Sequence, residues 1–314
     1  MSNTLYVIIP CYNEEEVILE TAKRLLEKLS LLIENSVISK DSRIVFVDDG
    51  SKDSTWGKIV SLHVSNEIFS GMKLSRNRGH QNALLAGLLE SKDKCDFTIS
   101  MDADLQDDVD VIDTFIAKYN EGYDIVYGVR GDRKSDTTVK RGMAELFYNM
   151  MTRMGVETVF NHADCRLMSK RALDALSQFK EVNLFLRGLV PLIGYNSTSV
   201  EYTRSPRFAG TSKYPFKKML QLALNGITSF SLSPIRIITI SGVVLLSLSA
   251  ISLLVLLILA ILGKNLSYGW IIASIWTSAS LVMTALGVVG EYVGKIFEES
   301  KKRPRYIVDV FLNS

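Results

Sequence analysis

Short apolar runs alternate with helical patterns along the first part of the chain. The runs predict strands, and the intervening patterns, with apolar residues three or four positions apart, predict helices. The predicted strands are 5–9, 43–47, 68–74, 96–101 and 123–129, and the predicted helices are 14–30, a helix from Asp53 or Ser54 to His63, 81–90 and 109–119. Because strands and helices that alternate in this way form βαβ units, we expect an α/β fold with a mostly parallel sheet.

The pattern changes after residue 140. Two amphipathic segments, 141–154 and 215–230, precede two uncharged runs, 237–263 and 265–290. A helix of roughly 20 apolar residues crosses a bilayer, so each run is long enough to be a transmembrane helix. Lys and Arg flank the outer ends of these runs, while the turn between them holds only Lys264, which predicts cytoplasmic ends. We interpret the second amphipathic segment as an interfacial helix.

This pattern predicts four parts of the chain and a location for each. They are a cytoplasmic α/β domain over 1–214, an interfacial amphipathic helix over 215–233, a two-helix transmembrane hairpin over 234–294 with its helices at about 237–263 and 268–290, and a cytoplasmic basic tail over 295–314. We therefore expect a multi-pass protein of the inner membrane, with the α/β domain and both termini in the cytoplasm.

Composition changes this picture little. The chain is 47% hydrophobic and 22% charged, with a mean hydropathy of +0.16 and a formal net charge of +2. The net charge by itself says little about partners, and we expect no nucleic acid among them. The three cysteines and three histidines lack the spacing of a disulfide framework or a zinc site, so we expect reduced, buried cysteines.

Polar segments follow four of the predicted strands, where open α/β sheets bind ligands. The segments are Pro10–Glu15, Val47–Ser51, Leu74–Gly79 and Met101–Asp104. The last of them begins an acidic run that holds Asp102 and Asp104, and clustered carboxylates suit Mg²⁺ or Mn²⁺ and therefore a diphosphate. An acidic turn alone is more often a solvated loop, so the other three segments carry the argument.

These four segments, in this order, resemble the motifs of the family 2 glycosyltransferases, which have the GT-A nucleotide-diphosphosugar transferase fold. The resemblance implies a UDP-sugar donor and a divalent cation, Mg²⁺ or Mn²⁺, bound at a DxD motif. It implies the following donor-binding residues: Pro10, Tyr12, Glu14, Asp49, Arg76, Asp102, Ala103, Asp104, Arg207 and Lys213. It implies Asp102, Asp104 and Gln106 as metal ligands.

A further segment, Asn161–Met168, resembles the stretch that carries the catalytic base of inverting members, which indicates Asp164. A phosphate acceptor is largely deprotonated at neutral pH, so Asp164 is either a base or a group that orients a substrate. The resemblance also assigns the acceptor phosphate to Arg130 and Arg141. We interpret His162 as a structural residue.

The resemblance is nearer still to polyprenyl-phosphate glycosyltransferases, and in particular to bactoprenol glucosyltransferases. It rests on Glu181–Gly188, Arg207–Tyr214 and Gly290–Lys295, with Pro304 and Tyr306 beyond. It implies inverting transfer of a hexose, glucose or N-acetylglucosamine, from a UDP-sugar to undecaprenyl phosphate at the cytoplasmic face of a lipid bilayer. It also implies a homo-oligomer, with a tetramer as one arrangement.

Two alternatives remain open at this point. A membrane-tethered nucleotidyltransferase would have a Gly-rich phosphate loop near its N-terminus, which this chain lacks. A non-catalytic membrane scaffold would have broken motifs, whereas Asp49, Asp102, Asp104 and Asp164 are all present. Which sugar is transferred, and which glycan receives it, are questions that the motifs leave open.

Overall fold

The α/β class is confirmed by the computed structural model. The structure describes residues 2–130, 162–181, 185–202 and 268–313, together with positions 244, 251, 258, 261 and 262. The described helices are α1 (Ile18–Glu34), α2 (Thr55–Ser65), α3 (His80–Ser91), α4 (Val111–Asn120), α5 (Lys170–Gln178), α6 (Leu186–Leu192) and α7 (Tyr268–Ser300).

The described strands form one sheet. They are β1 (Leu5–Cys11), β2 (Arg43–Asp48), β3 (Phe69–Leu74), β4 (Phe97–Ser100), β5 (Ile125–Arg130), β6 (His162–Ser169), β7 (Ser197–Tyr202) and β8 (Val308–Leu312), in the spatial order β7-β5-β6-β4-β1-β2-β3-β8. Strands β1, β2, β3 and β4 are mutually parallel. Their carboxyl ends therefore lie along one edge of the sheet, which brings the loops after them together.

Apolar helices cover both faces of this sheet. Side chains from α1, α2 and α4 pack on one face, and side chains from α3, α5 and α6 pack on the other. Every residue of β1 is buried as a result. A parallel strand that is buried on both faces has an almost uninterrupted apolar sequence, which is why the sequence pattern predicted these strands.

Strand β6 breaks the parallel arrangement. It lies between β4 and β5 and runs antiparallel to both. Ser100, the last residue of β4, pairs with Arg166 in the middle of β6, so the first half of β6 extends past the end of β4. The first residues of β6 therefore lie beside the carboxyl end of β4, at the edge where the polar loops meet.

Strand β8 was not predicted by the sequence pattern, because it follows a basic segment within the predicted tail. It pairs antiparallel to β3 at the edge of the sheet. The N–H of Ser75 donates to the carbonyl of Ile307 at 3.0 Å, and the hydroxyl of Tyr306 donates to Glu90 at 3.1 Å. The chain end is thus attached to the loop that follows β3.

The predicted transmembrane hairpin at 234–294 requires correction. Among the residues that the structure describes, no helix combines the length and the apolar character needed to cross a bilayer. The multi-pass inner-membrane localisation derived from the hairpin is wrong for the same reason. The second uncharged run lies largely in α7, which continues past Gly290 into a charged segment with Glu291 and Lys295.

Other predictions fall on residues outside the described ranges. These are the amphipathic segment 141–154, the interfacial helix 215–233 and most of the first predicted span, 237–263. The bounds of the other three parts, 1–214, 215–233 and 295–314, therefore stay predictions. The three cysteines lie within the described part and are buried and unpaired with one another, as expected.

Candidate active site

The loops after β1 and β2 are joined by hydrogen bonds between backbone and side chains. The N–H of Asn13 donates to the hydroxyl of Ser51 at 2.9 Å, and the Asn13 side-chain oxygen accepts from the N–H of Lys52 at 2.8 Å. The N–H of Glu14 donates to Thr55 at 2.9 Å. Asn13 has a φ of 52°, a left-handed conformation that asparagine tolerates better than most residues. These contacts fix the loop that carries Tyr12 and Glu14.

Asp49 connects the loop after β2 to the loop after β3. One carboxylate oxygen accepts from the N–H of Arg78 at 2.6 Å, and the other accepts from the N–H of Gly79 at 2.8 Å. Burial raises the pKa of Asp49, and the two N–H groups act in the opposite direction. Gly50 lies so close that a Cβ on it would be 2.7 Å from the Asn77 nitrogen. Asp49 therefore holds the loop 75–79 in place.

The predicted donor-binding residues of this region all lie at the same edge of the sheet. Pro10 is buried in β1 opposite Val47, while Tyr12 and Glu14 are partly buried in the next loop. Arg76 is exposed in the loop that Asp49 holds. We call the loops 10–15, 48–55 and 75–79 the donor-side loops.

The acidic loop after β4 has its own supports. The Ala103 carbonyl accepts from the Thr21 hydroxyl at 2.8 Å, and the Asp104 carboxylate accepts from the N–H of Gln106 at 3.2 Å. Asp107 is buried and accepts from the hydroxyl of Tyr202 at 2.6 Å. The loop therefore keeps several carboxylates close together without relying on an exposed turn.

Four charged side chains meet beside this loop, and we call them the carboxylate cluster: His80, Asp102, Asp164 and Arg187. His80 Nε2 lies 3.7 Å from a carboxylate oxygen of Asp102 and 3.6 Å from one of Asp164. Arg187 donates to both oxygens of Asp164, from Nε at 3.0 Å and from Nη2 at 3.1 Å. Asp164 reaches the cluster because β6 runs antiparallel beside β4, and Ser100 donates to its carbonyl at 2.6 Å.

The cluster shifts the pKa of its members in different directions. Burial raises the pKa of Asp102 to about 6, with His80 acting against it and the neighbouring carboxylates adding to it. Burial alone would lower the pKa of His80, but Asp164 and Asp102 raise it to about 9. Burial alone would raise the pKa of Asp164, yet Arg187 and His80 hold it well below its usual value. The two neighbouring carboxylates therefore differ in proton affinity, and Asp102 holds a proton more strongly than Asp164.

The donor set of this cluster fits a divalent cation. His80, Asp102 and Asp164 each offer one ligand atom, and these atoms lie within 4.8 Å of one another. Burial is the main cause of the raised pKa of Asp102, and the repulsion from neighbouring carboxylates that adds to it is the kind that a bound cation relieves. Among the predicted ligands, Asp102 belongs to this group, and Asp104 and Gln106 lie in the same loop.

The sequence reasoning missed two members of the cluster, His80 and Arg187. His80 was set aside because the histidines show no metal-binding spacing, although it follows the Leu74–Gly79 motif directly as the first residue of α3. Arg187 belongs to a segment that was quoted only for its resemblance to bactoprenol enzymes. His80 directly follows one of the four motifs and Arg187 lies within Glu181–Gly188, so position in the sequence was the available signal in both cases.

Several predicted site residues cannot be placed with the others. Arg141, Arg207 and Lys213 lie outside the described residues. Arg130 ends β5, and only its backbone is described. The assignments of these residues to the acceptor phosphate and the donor stay predictions.

A polar, acidic site at the carboxyl edge of a sheet with helices on both faces is the class of site that these features define. The family model described as Glycosyl transferase family 2 matches residues 6–177. The chain therefore belongs to glycosyl transferase family 2, as the resemblance implied, and it is a glycosyltransferase enzyme.

Relatives are similar over nearly the whole chain. An uncharacterised glycosyltransferase of Bacillus subtilis (strain 168), YkoT, is 51% identical over 98% of this chain and 92% of its own length. A prophage bactoprenol glucosyl transferase homolog of Escherichia coli (strain K12) is 36% identical over 96% and 97%. Among solved structures, the mannosyl-3-phosphoglycerate synthase of Rubrobacter xylanophilus has a TM-score of 0.47 at 15% identity, and 71% of each chain is covered.

Proposed function

We propose that this enzyme transfers a hexose, with inversion, from a UDP-sugar to a polyprenyl phosphate such as undecaprenyl phosphate. The observation that carries the proposal is the 36% identity, over 96% of this chain, to the bactoprenol glucosyl transferase of Shigella phage SfV and to the prophage homolog of Escherichia coli. Glucose is the sugar that those names favour, and N-acetylglucosamine is the alternative.

The donor-side loops support the part of the proposal that concerns the nucleotide. Pro10, Tyr12 and Glu14 would contact uridine and ribose, and Arg76 would reach a phosphate. Asp49 would act on the donor through the loop 75–79, because both its carboxylate oxygens already accept backbone N–H groups. A pocket built in this way is ordered before the donor arrives, which lowers the entropic cost of binding.

The acidic loop supports the part that concerns the diphosphate. Asp102, Asp104 and Gln106 would hold Mg²⁺ or Mn²⁺, with His80 and Asp164 beside them. A divalent cation bound there would supply positive charge for the diphosphate leaving group. Arg207 and Lys213 would close over the same diphosphate.

The proposed acceptor favours one of the two roles left open for Asp164. A phosphate monoester has a second pKa of about 6, so the acceptor oxygen needs no base at neutral pH. That oxygen would attack the anomeric carbon of the sugar while the bond to UDP breaks, and UDP would leave. Since Arg187 and His80 hold the pKa of Asp164 well below its usual value, the carboxylate suits orientation better than proton removal. Arg130 and Arg141 would hold the acceptor phosphate.

A transfer assay on the purified full-length chain tests this proposal. Radiolabelled UDP-glucose and UDP-N-acetylglucosamine are each offered with undecaprenyl phosphate in detergent micelles, with Mg²⁺, with Mn²⁺ or with EDTA. We expect label from UDP-glucose in the organic phase, and we expect EDTA to abolish it. Undecaprenol without its phosphate is the matched control and should receive no sugar. Transfer to neither lipid from either donor would overturn the proposal.

A further inference from the structure

We propose that Arg187 is the positioning residue that sets the orientation of the Asp164 carboxylate, and that α6 presents it for this purpose. The inference rests on the proposed function and deepens it, because it assigns a role to a residue outside every predicted set. It concerns how the carboxylate cluster is assembled, and Arg187 acts through Asp164 and not on a substrate.

The geometry of the pair is the first support. Arg187 donates to one oxygen of Asp164 from Nε at 3.0 Å and to the other from Nη2 at 3.1 Å. Two parallel hydrogen bonds from a planar guanidinium fix the plane of a carboxylate as well as its position. A single contact, such as a lysine would make, leaves the carboxylate free to rotate.

The anchoring of α6 is the second support. Leu186 is buried, and its N–H donates to the side-chain oxygen of Gln81 at 3.0 Å. Leu189 and Val190 are also buried, and Val190 packs in the same core cluster as the apolar side chains of α3. Gln81 follows His80 in the first turn of α3, so the helix that carries Arg187 is attached to the helix that carries His80. The position of Arg187 is therefore determined by packing.

We call the two parallel hydrogen bonds from Arg187 to Asp164 the fork. The other cationic side chains near Asp164 do not make such a pair of bonds. Arg166 Nη2 lies 3.5 Å from one oxygen and His80 Nε2 lies 3.6 Å from the other. Arg166 is almost fully buried, with 1% of its side chain exposed, so it needs the charge of Asp164 without orienting it. Orientation falls to Arg187, which directs one carboxylate oxygen towards His80 and Asp102.

Loss of the fork should therefore reduce the rate and leave donor binding nearly unchanged. A carboxylate that rotates away from His80 no longer completes the cluster, and a displacement of about 1 Å in a catalytic group costs up to about 100-fold in rate. The donor-side loops do not depend on this pair, so we expect the KM for the UDP-sugar to stay within about 2-fold.

A double-mutant cycle tests whether Arg187 acts through Asp164. The variants are Arg187→Gln, Asp164→Asn and the pair of substitutions together. We expect each single substitution to lower kcat by about 10- to 100-fold, and the double variant to be no slower than the slower single variant. Losses that multiply would show that Arg187 acts independently and would overturn the proposal. A large rise in the donor KM with unchanged kcat would overturn it too.

The variant Arg187→Lys separates orientation from charge. It keeps the positive charge and loses the fork, so we expect its kcat to stay close to that of Arg187→Gln. Wild-type activity in Arg187→Lys would mean that charge alone suffices, and that result would overturn the proposal. Circular dichroism and UDP binding by calorimetry, measured on every variant, identify any loss of rate that comes from misfolding.

Arg171→Gln is the matched control. Arg171 also pairs with an aspartate, Asp124, but it lies beyond the other end of β6 and 63% of its side chain is exposed. We expect wild-type kcat in this variant. Sugar transfer by the wild-type chain tests the proposed function. The double-mutant cycle tests only the coupling between Arg187 and Asp164, because it compares the rates of the variants with one another. The cycle can be read on release of UDP from the donor even if polyprenyl phosphate proves not to be the acceptor.

Discussion

The donor-side loops and the carboxylate cluster lie at the same edge of the sheet but are held together differently. Backbone N–H groups hold the donor-side loops, as Asp49 shows by accepting from Arg78 and Gly79. Ion pairs between distant parts of the chain hold the cluster, as Arg187 and Asp164 show. The hydrogen bonds to backbone groups fix the conformation of the donor-side loops, whereas the ion pairs compensate the charges of the carboxylate cluster.

This difference has a consequence for how each region responds to change. When one partner of a hydrogen bond to the backbone is removed, only that bond is lost. The cost in unfolding free energy is that of one unsatisfied polar group. Removing one member of a buried charge group leaves the other charges uncompensated. We therefore expect substitutions in the donor-side loops to change stability and donor affinity, and substitutions in the cluster to change the rate.

The largest effect is expected for Asp102→Asn, which removes a member of the cluster. Transfer should fall by about 100- to 1,000-fold, the usual loss when one electrostatic contact to a developing charge is removed. Because burial raises the pKa of Asp102, a neutral amide there should leave the melting temperature unchanged or slightly higher. The control is Asp93→Asn, at a side chain that is 71% exposed. Full activity in Asp102→Asn would remove the proposed metal role.

The second-largest effect is expected for Gly50→Ala in the donor-side loops. Gly50 has a φ of 69°, and a Cβ would lie 2.7 Å from the nitrogen of Asn77 and 2.8 Å from the carbonyl carbon of Arg76. Backbone strain of this kind costs about 1–3 kcal/mol, so urea unfolding should show that loss together with a raised donor KM. Gly57→Ala is the matched control, since nothing lies within 4 Å of a Cβ there. Gly57 lies in α2, and its replacement by Ala should raise the free energy of unfolding by about 0.5–1 kcal/mol.

A smaller effect is expected for Asp49→Asn. The amide keeps one acceptor oxygen and loses the other, so one of the N–H groups of Arg78 and Gly79 loses its partner. The expected loss in unfolding free energy is about 1–2 kcal/mol. The donor KM should rise while kcat at saturating donor stays near that of the wild type. A fall in kcat with an unchanged KM would show that the two regions are less separate than we infer.

The smallest effect is expected for Tyr306→Phe, which removes one hydrogen bond between the chain end and Glu90. This bond is exposed, so its loss should cost about 0.5 kcal/mol or less in thermal unfolding. Kinetic constants should not change, because β8 keeps its pairing with β3 and Ser75 keeps its bond to Ile307. A raised donor KM would place Tyr306 among the supports of the donor-side loops.

Much of the fold could be predicted from local pattern, and the exceptions have a common cause. Strands β1 to β5 are apolar runs because both faces of the sheet are covered, and their predicted bounds agree closely with those observed. The pattern did not predict β6, because its sequence includes the charged residues Asp164 and Arg166, and the ion pair between Asp164 and Arg187 forms only when α6 packs beside this strand. Nor did it predict β8, whose pairing partner β3 is remote in the chain.

The sequence by itself determined the class of enzyme and the edge of the sheet where its site lies, because the motifs sit directly after apolar runs that must be buried. Only the tertiary structure decided which charged groups meet. Ser100 and Asp164 are 64 residues apart, and the antiparallel course of β6 brings them into contact. Arg187 and His80 join them because α6 and α3 pack on the same face of the sheet. Local pattern carries no information about such contacts, since they depend on how whole elements pack.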